Sequence, residues 1–182
     1  SVEVDSGYIN FKKENVSDWR RLDAECRQKE SDIDISNYHS VKLSGLEPGT
    51  KYVYTVGSEE NRSDECSFET EPENTGKFSF LVITDHQKGN PCHLPDYGKV
   101  GELLKDALKK HPECRFILTV GDNCDNGQNE LQWNGMFEGL KGIIESIPYM
   151  MTTGNHDNRG FLSYFPEPVG KFYLEHADFY DF

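Results

Sequence analysis

Three apolar segments, each closing on a short polar cluster, constrain this chain more than any other feature. Phe78 to Thr84 (FSFLVIT) runs into Asp85-His86-Gln87, Arg115 to Val120 (RFILTV) into Gly121-Asp122-Asn123, and Tyr149 to Thr153 (YMMTT) into Gly154-Asn155-His156-Asp157. Such near-continuous apolar runs read as buried strands. Between the first two, Val100, Leu103, Leu104, Ala107 and Leu108 recur at helical spacing until His111-Pro112. Between the second and third, Trp133, Met136, Phe137, Leu140, Ile144 and Ile147 predict another amphipathic helix, stopped by Pro148. Strands alternating with helices imply right-handed crossovers and a parallel sheet in β-α-β-α-β order.

In an open parallel sheet the carboxyl ends of adjacent strands form the ligand crevice. The three polar clusters are therefore expected in one place, which brings Asp85, Asp122, Asn155 and His156 together. Oxygen donors plus an imidazole suit hard or borderline divalent and trivalent metals. Gly121 and Gly154 would let the backbone turn sharply beside a ligand. Blander roles stand beside this one. Asp122 could cap the second helix, although Asp125 and Asn126 are better placed for that. Asn155 and Asp157 could be turn residues. Strand alternation points His86 to the opposite face, outside the site. His39 reads as structural, and His93, His111 and His176 as surface or loop residues; Tyr52, Trp133 and Phe137 read as core.

The first 70 or so residues are patterned differently. Residues 37–43, 52–56 and 66–70 alternate as strands do, separated by Gly45, Pro48-Gly49 and the polar stretch Gly57 to Asp64. Short strands at this spacing predict an all-β sandwich. About five strands fit where such a module has about seven, and Ser1 to Val4 reads as already inside a strand. The polar, Pro- and Gly-containing stretch Glu71 to Lys77 is the natural boundary, giving a module over residues 1–72 and an α/β unit over residues 77–182.

With 19 Lys+Arg against 32 Asp+Glu, the net charge is −13. Nucleic acid is therefore not expected as a broad-surface partner. An anionic phosphate is still admissible where bound cations invert the local field. No apolar run approaches the ~20 residues that span a bilayer, so membrane insertion is not expected. Cys26, Cys66, Cys92, Cys114 and Cys124 form neither a disulfide framework nor a zinc knuckle. They leave the compartment open, with a lean to an extracytoplasmic location because the chain starts at Ser1 rather than Met.

Leu46-Glu47-Pro48-Gly49-Thr50-Lys51-Tyr52 resembles the fibronectin type III signature, in which a corner tyrosine hydrogen-bonds the backbone upstream. Over residues 78–182, Asp85-His86-Gln87, Gly121-Asp122 and Gly154-Asn155-His156-Asp157 resemble the motifs of the calcineurin-like metallophosphoesterase superfamily. A fibronectin-like module leading straight into the first catalytic strand looks like the purple acid phosphatase branch. The resemblance implies hydrolysis of phosphate esters through a dinuclear metal centre and bridging hydroxide, with two metal ions (Mn, Fe or Zn). It implies Asp85 on the first metal, Asp122 bridging both, Asn155 on the second, His156 donating to the leaving oxygen and Asp157 orienting that imidazole.

The departures are specific. Gln87 stands where many members have His, so it is a weaker candidate ligand. Asp125 stands where purple acid phosphatases place a metal-binding Tyr, so a colourless protein is expected. Nothing after residue 157 matches the later histidine motifs of the family, and Phe172 to Leu174 and Phe179 to Phe182 read as strands. The chain thus reads as part of a longer protein that completes the site, with weak or no activity of its own. A non-catalytic binding or adhesion module with a degenerate phosphoesterase half is the alternative.

Overall fold

The computed structural model describes residues 6–30, 35–74, 76–88 and 96–157. Strands come first: β1 (Tyr8–Lys13), β2 (Arg20–Asp23), β3 (Glu25–Glu30), β4 (Ile35–Ser40), β5 (Lys51–Gly57) and β6 (Cys66–Glu69). They form a four-stranded antiparallel sheet in the order β2-β1-β5-β6 and a separate β3-β4 pair. The chain changes sheets at Ala24, between β2 and β3, where the Ala24 N–H donates to the Gly7 carbonyl at 2.8 Å. Six strands are therefore described where about five were expected. Polar side chains and short lengths hide β1 to β3 from alternation alone.

Ile9, Phe11 and Tyr52 are the buried centre of this half, with Leu22, Val41, Leu43, Leu46, Tyr54 and Phe68 packed on them. Tyr52 stacks on Phe68 with 5.5 Å between ring centroids. Its hydroxyl accepts the Glu47 N–H at 2.9 Å, as the tyrosine-corner reading of residues 46–52 expects. Ser1 to Val4 and the strands expected at residues 172–174 and 179–182 lie outside the described residues.

The second half follows the predicted alternation: β7 (Ser79–Ile83), α1 (Gly98–Lys110), β8 (Cys114–Thr119), α2 (Glu130–Gly139) and β9 (Tyr149–Met150). The sheet order is β7-β8-β9 and both pairings are parallel. Its core joins Tyr97 and Leu104 at α1, Ile117 of β8, Cys124, Trp133, Met136 and Leu140 around α2, and Met151. Lys109 and Lys110 in the last turn of α1 complement the helix dipole.

Three local readings are corrected. The helix predicted to reach Ile147 ends at Gly139; the chain then turns, with Gly142 in the left-handed region at φ 79°. The cap of α2 is Asn129, whose side chain accepts the Leu131 N–H at 3.0 Å, rather than Asp125 or Asn126. The strand predicted over residues 149–153 pairs regularly only at Tyr149–Met150. Beyond it, Thr152 is bonded through hydroxyls, its N–H to Thr119 Oγ1 at 3.3 Å and its own Oγ1 to the Thr119 carbonyl at 2.8 Å. The sheet also differs from a doubly covered one: Phe78, Phe80, Val82 and Met150 are each between 42% and 58% exposed. The two helices cover one face only, among the described residues.

Candidate metal centre

Each polar cluster leaves its strand abruptly. Asp85 and Asp122 both take left-handed backbone, at φ 51° and 52°. For residues other than Gly, Asn or Asp this region is rare, and even here it costs energy that the surroundings must hold in place. The first two loops are tied by their main chains: the Asp85 N–H donates to the Gly121 carbonyl at 3.4 Å and the Gln87 N–H to the Asp122 carbonyl at 3.1 Å. The second and third loops touch. A Cβ on Gly121 would lie 2.7 Å from the Gly154 Cα, and one on Gly154 would lie 2.1 Å from Asp122 Oδ1. Only glycine fits at either place.

Asp122 is 9% exposed, and its Oδ1 accepts the His156 N–H at 3.1 Å. Asp85, Asn155 and His156 are exposed around it, and Thr84 Oγ1 donates to Asp85 Oδ2 at 2.6 Å. Gln87 is half-buried, and its Oε1 is a buried acceptor without a hydrogen-bond partner. The structure thus gathers the predicted Asp85, Gln87, Asp122, Asn155 and His156 on three touching loops.

Asp157 is placed differently from its expected neighbourhood. It is fully buried, and its Oδ2 accepts the Asn123 N–H (3.0 Å), Asn123 Nδ2 (2.8 Å) and the Gly154 N–H (3.0 Å). Its Oδ1 accepts the Cys124 N–H at 2.8 Å. This carboxylate holds the second loop to the third. The imidazole of His156 instead meets Asp125: Nδ1 lies 2.8 Å from the Asp125 carbonyl and 3.4 Å from its Oδ1. The Asp125 carbonyl raises the His156 pKa above its ordinary value, with the charges of Asp122, Asp125 and Asp157 adding to it. The sequence signal for Asp125 was only its place three residues after Asp122, weighed as a helix cap and as a lost tyrosine.

His86 is buried beneath the first loop. Its Nε2 lies 3.2 Å from the Tyr149 hydroxyl and its ring meets Tyr97 edge-on, while burial lowers its pKa. It is not among the exposed donors. Tyr97, absent from every motif, is the second residue that sequence reasoning missed. Its hydroxyl accepts the Lys88 N–H at 3.1 Å and donates to the Asn123 carbonyl at 2.9 Å.

For a metal, the donor set is oxygen-rich, as hard and borderline cations require. The orphaned Gln87 oxygen beside the Asp122 loop fits a cation that supplies its missing partner. Among the described residues, His, Cys, Asp and Glu side chains form no group of three that could hold a metal ion. On the three loops, Gln87 and Asn155 add amide oxygens to the carboxylates of Asp85 and Asp122.

A parallel α/β sheet with an oxygen-donor site at its carboxyl edge, preceded by antiparallel β-structure, is the class that fold and site define. Residues 78–182 match the calcineurin-like phosphoesterase family and residues 2–70 match the purple acid phosphatase N-terminal domain. The chain belongs to the calcineurin-like phosphoesterase family, of purple acid phosphatase type. It is 28% identical over 128 residues to purple acid phosphatase 21 of Arabidopsis thaliana, covering 68% of this chain and 25% of that protein. It is 32% identical over 125 residues to acid phosphatase type 7 of Mus musculus, covering 66% and 26%. A probable inactive purple acid phosphatase 1 of Arabidopsis thaliana is 25% identical over 134 residues, covering 65% and 21%. The solved purple acid phosphatase of yellow lupin (Lupinus luteus) seeds shares the fold, with a TM-score of 0.66 at 17% identity over 84% of this chain and 31% of its own. The chain thus spans about a quarter of the length of the relatives it matches.

Proposed function

We propose that this chain is the metal-binding half of a phosphoric ester hydrolase, with Asp85, Gln87, Asp122 and Asn155 as metal donors and His156 as the group that meets the leaving oxygen. The observation that carries the proposal is the union of three strand-end loops around buried Asp122, with exposed Asp85, Asn155 and His156 at its rim. Two bound cations (Mn, Fe or Zn) would supply an activated water and offset phosphate charge that a protein of net charge −13 otherwise repels. Asp122, between the other two loops, is the carboxylate placed to be shared. With its Nδ1 donating to the Asp125 carbonyl, His156 has Nε2 free to carry a proton. Its raised pKa favours the protonated form, which can donate to a departing alkoxide. Asp125 orients the ring, and Asp157 fixes the loops.

The antiparallel strands over residues 1–72 constitute a fibronectin type III-like sandwich in this reading, and residues 77–182 the phosphoesterase unit; the Tyr52–Glu47 corner supports the first assignment. The substrate is a phosphate ester. A second reading, a non-catalytic module, is favoured by Gln87 in place of a histidine and by the lack of three clustered His, Cys, Asp or Glu side chains among the described residues. Metal content per chain, measured by elemental mass spectrometry on protein purified without chelators, separates the two. In a longer chain that carries the rest of the site, close to two transition-metal ions, lost together with aryl phosphate hydrolysis in Asp122→Asn, is the expected result. No bound metal, or hydrolysis untouched by Asp122→Asn, overturns it.

A further inference from the structure

The donor loops do not hold each other by main-chain bonds alone. Tyr97 sits just before α1, outside every motif, and is 1% exposed. A Cβ on Gly139 of α2 would lie 2.4 Å from the Tyr97 Cβ, and one on Gly101 of α1 would lie 2.1 Å from the Gly139 carbonyl. Two glycines thus let α1 and α2 close together and pin the Tyr97 backbone. From that anchor the ring lies in the core. Its hydroxyl accepts from Lys88 N–H, one residue after Gln87, and donates to the carbonyl of Asn123, one residue after Asp122. Donor and acceptor are both used, so the phenol measures the distance between the first and second donor loops.

We propose that Tyr97 is a positioning residue of the metal site, setting the separation of Gln87 and Asp85 from Asp122 through this single hydroxyl. The inference rests on the metal-binding reading above and adds a residue outside its motifs. Its physical basis is that a cation site tolerates little error in donor spacing, and loops anchored to rigid helices hold that spacing better than loops left to themselves. Without the hydroxyl, the ties left between these loops include the Asp85–Gly121 and Gln87–Asp122 main-chain bonds and the Thr84 hydroxyl on the Val120 carbonyl, the first and last of them long at 3.4 and 3.3 Å.

Tyr97→Phe removes one oxygen and keeps the ring in the core. Terbium(III) luminescence titration of the 182-residue chain reads carboxylate-rich sites directly, with Asp122→Asn defining the signal that belongs to this site. The expected result is terbium affinity at least tenfold weaker in Tyr97→Phe, together with faster hydrogen exchange at the Lys88 amide and unchanged exchange at the Asn123 amide, which Asp157 holds. Equal affinity in wild type and Tyr97→Phe overturns the role of Tyr97 and leaves the metal site standing. No terbium signal that depends on Asp122 overturns the metal reading and this proposal with it. Weaker binding accompanied by equally faster exchange at Lys88 and Asn123 marks general loosening of the core, and also overturns it.

Discussion

Replacing Asp157 by Asn tests the join between the second and third strand-end loops. The native carboxylate accepts four N–H donors, three at Oδ2 and one at Oδ1, and is fully buried. With the amide oxygen at the Oδ2 position, three of these bonds survive but lose their charge assistance, each falling from ~1.5–3 to ~0.5–1.5 kcal/mol. The amide NH2 then faces the Cys124 N–H, leaving a buried donor unpaired at a cost of ~1–3 kcal/mol. Against this, Asn avoids the several kcal/mol needed to desolvate a carboxylate. The net is a destabilisation of about 2–4 kcal/mol, or ~4–16 °C in Tm for a chain of this size. Trp133 reports the correct half: it is fully buried and its Nε1 donates to the Gly127 carbonyl, next to the chain that Asp157 fixes. A Trp19→Phe background removes the exposed second tryptophan. A Tm within ~1 °C of wild type refutes the reasoning, because the loss worked from four bonds exceeds the desolvation that Asn avoids.

Three further outcomes follow from the same geometry. Gly154→Ala places a methyl 2.1 Å from Asp122 Oδ1, so it should cost about 2–4 kcal/mol and abolish metal binding; a variant that binds metal like wild type by calorimetry sinks the close-contact argument. Removing the Asp125 carboxylate as Asp125→Ala should lower the His156 pKa while the carbonyl contact remains, and NMR titration of the metal-free imidazole that shows no downward shift contradicts it. Burial pushes the Tyr54 phenol up to about 12 from 10, and its hydroxyl donates to the Glu145 carbonyl across the two halves. The folded state therefore keeps a proton that the unfolded state loses first, and this stabilisation, complete below pH 10, declines as pH rises from 10 toward 12. Tyr54→Phe should flatten that decline in urea midpoints; an identical slope in both proteins excludes Tyr54 as its source.

The parallel half was legible because its signals are strong and local. Apolar runs, helical spacing and terminal Asp, Asn and Gly placed three strands and two helices in the right order, and put Asp85, Gln87, Asp122, Asn155 and His156 on three adjoining loops. What escaped was anything decided by a distant partner. Asp157 and Asp125 are both aspartates beside His156 in space, and no sequence pattern says which of them faces the ring. The choice is made by the N–H groups of Asn123, Cys124 and Gly154, which capture Asp157. Tyr97 was invisible for the same reason, since its position depends on Gly101 and Gly139 meeting across two helices. In the first half, β1 to β3 are short and carry Lys, Arg and Glu, so period-two alternation is blurred.

The strain at the site explains why so much of the buried polar structure lies just behind it. Asp85 and Asp122 in left-handed backbone each cost on the order of 1 kcal/mol or more, and Asp122 also carries a nearly buried carboxylate. A loop free to relax would return both residues to ordinary φ and let the carboxylate reach water. The bonds that prevent this come from Tyr97 on one side and from Asp157 and Asn123 on the other, all at most 1% exposed. A fold that served only to pack its core would gain stability by releasing those turns. On the proposed reading, the retained turns keep the donors apart and ready before a cation arrives, at a cost borne by Asp85 and Asp122.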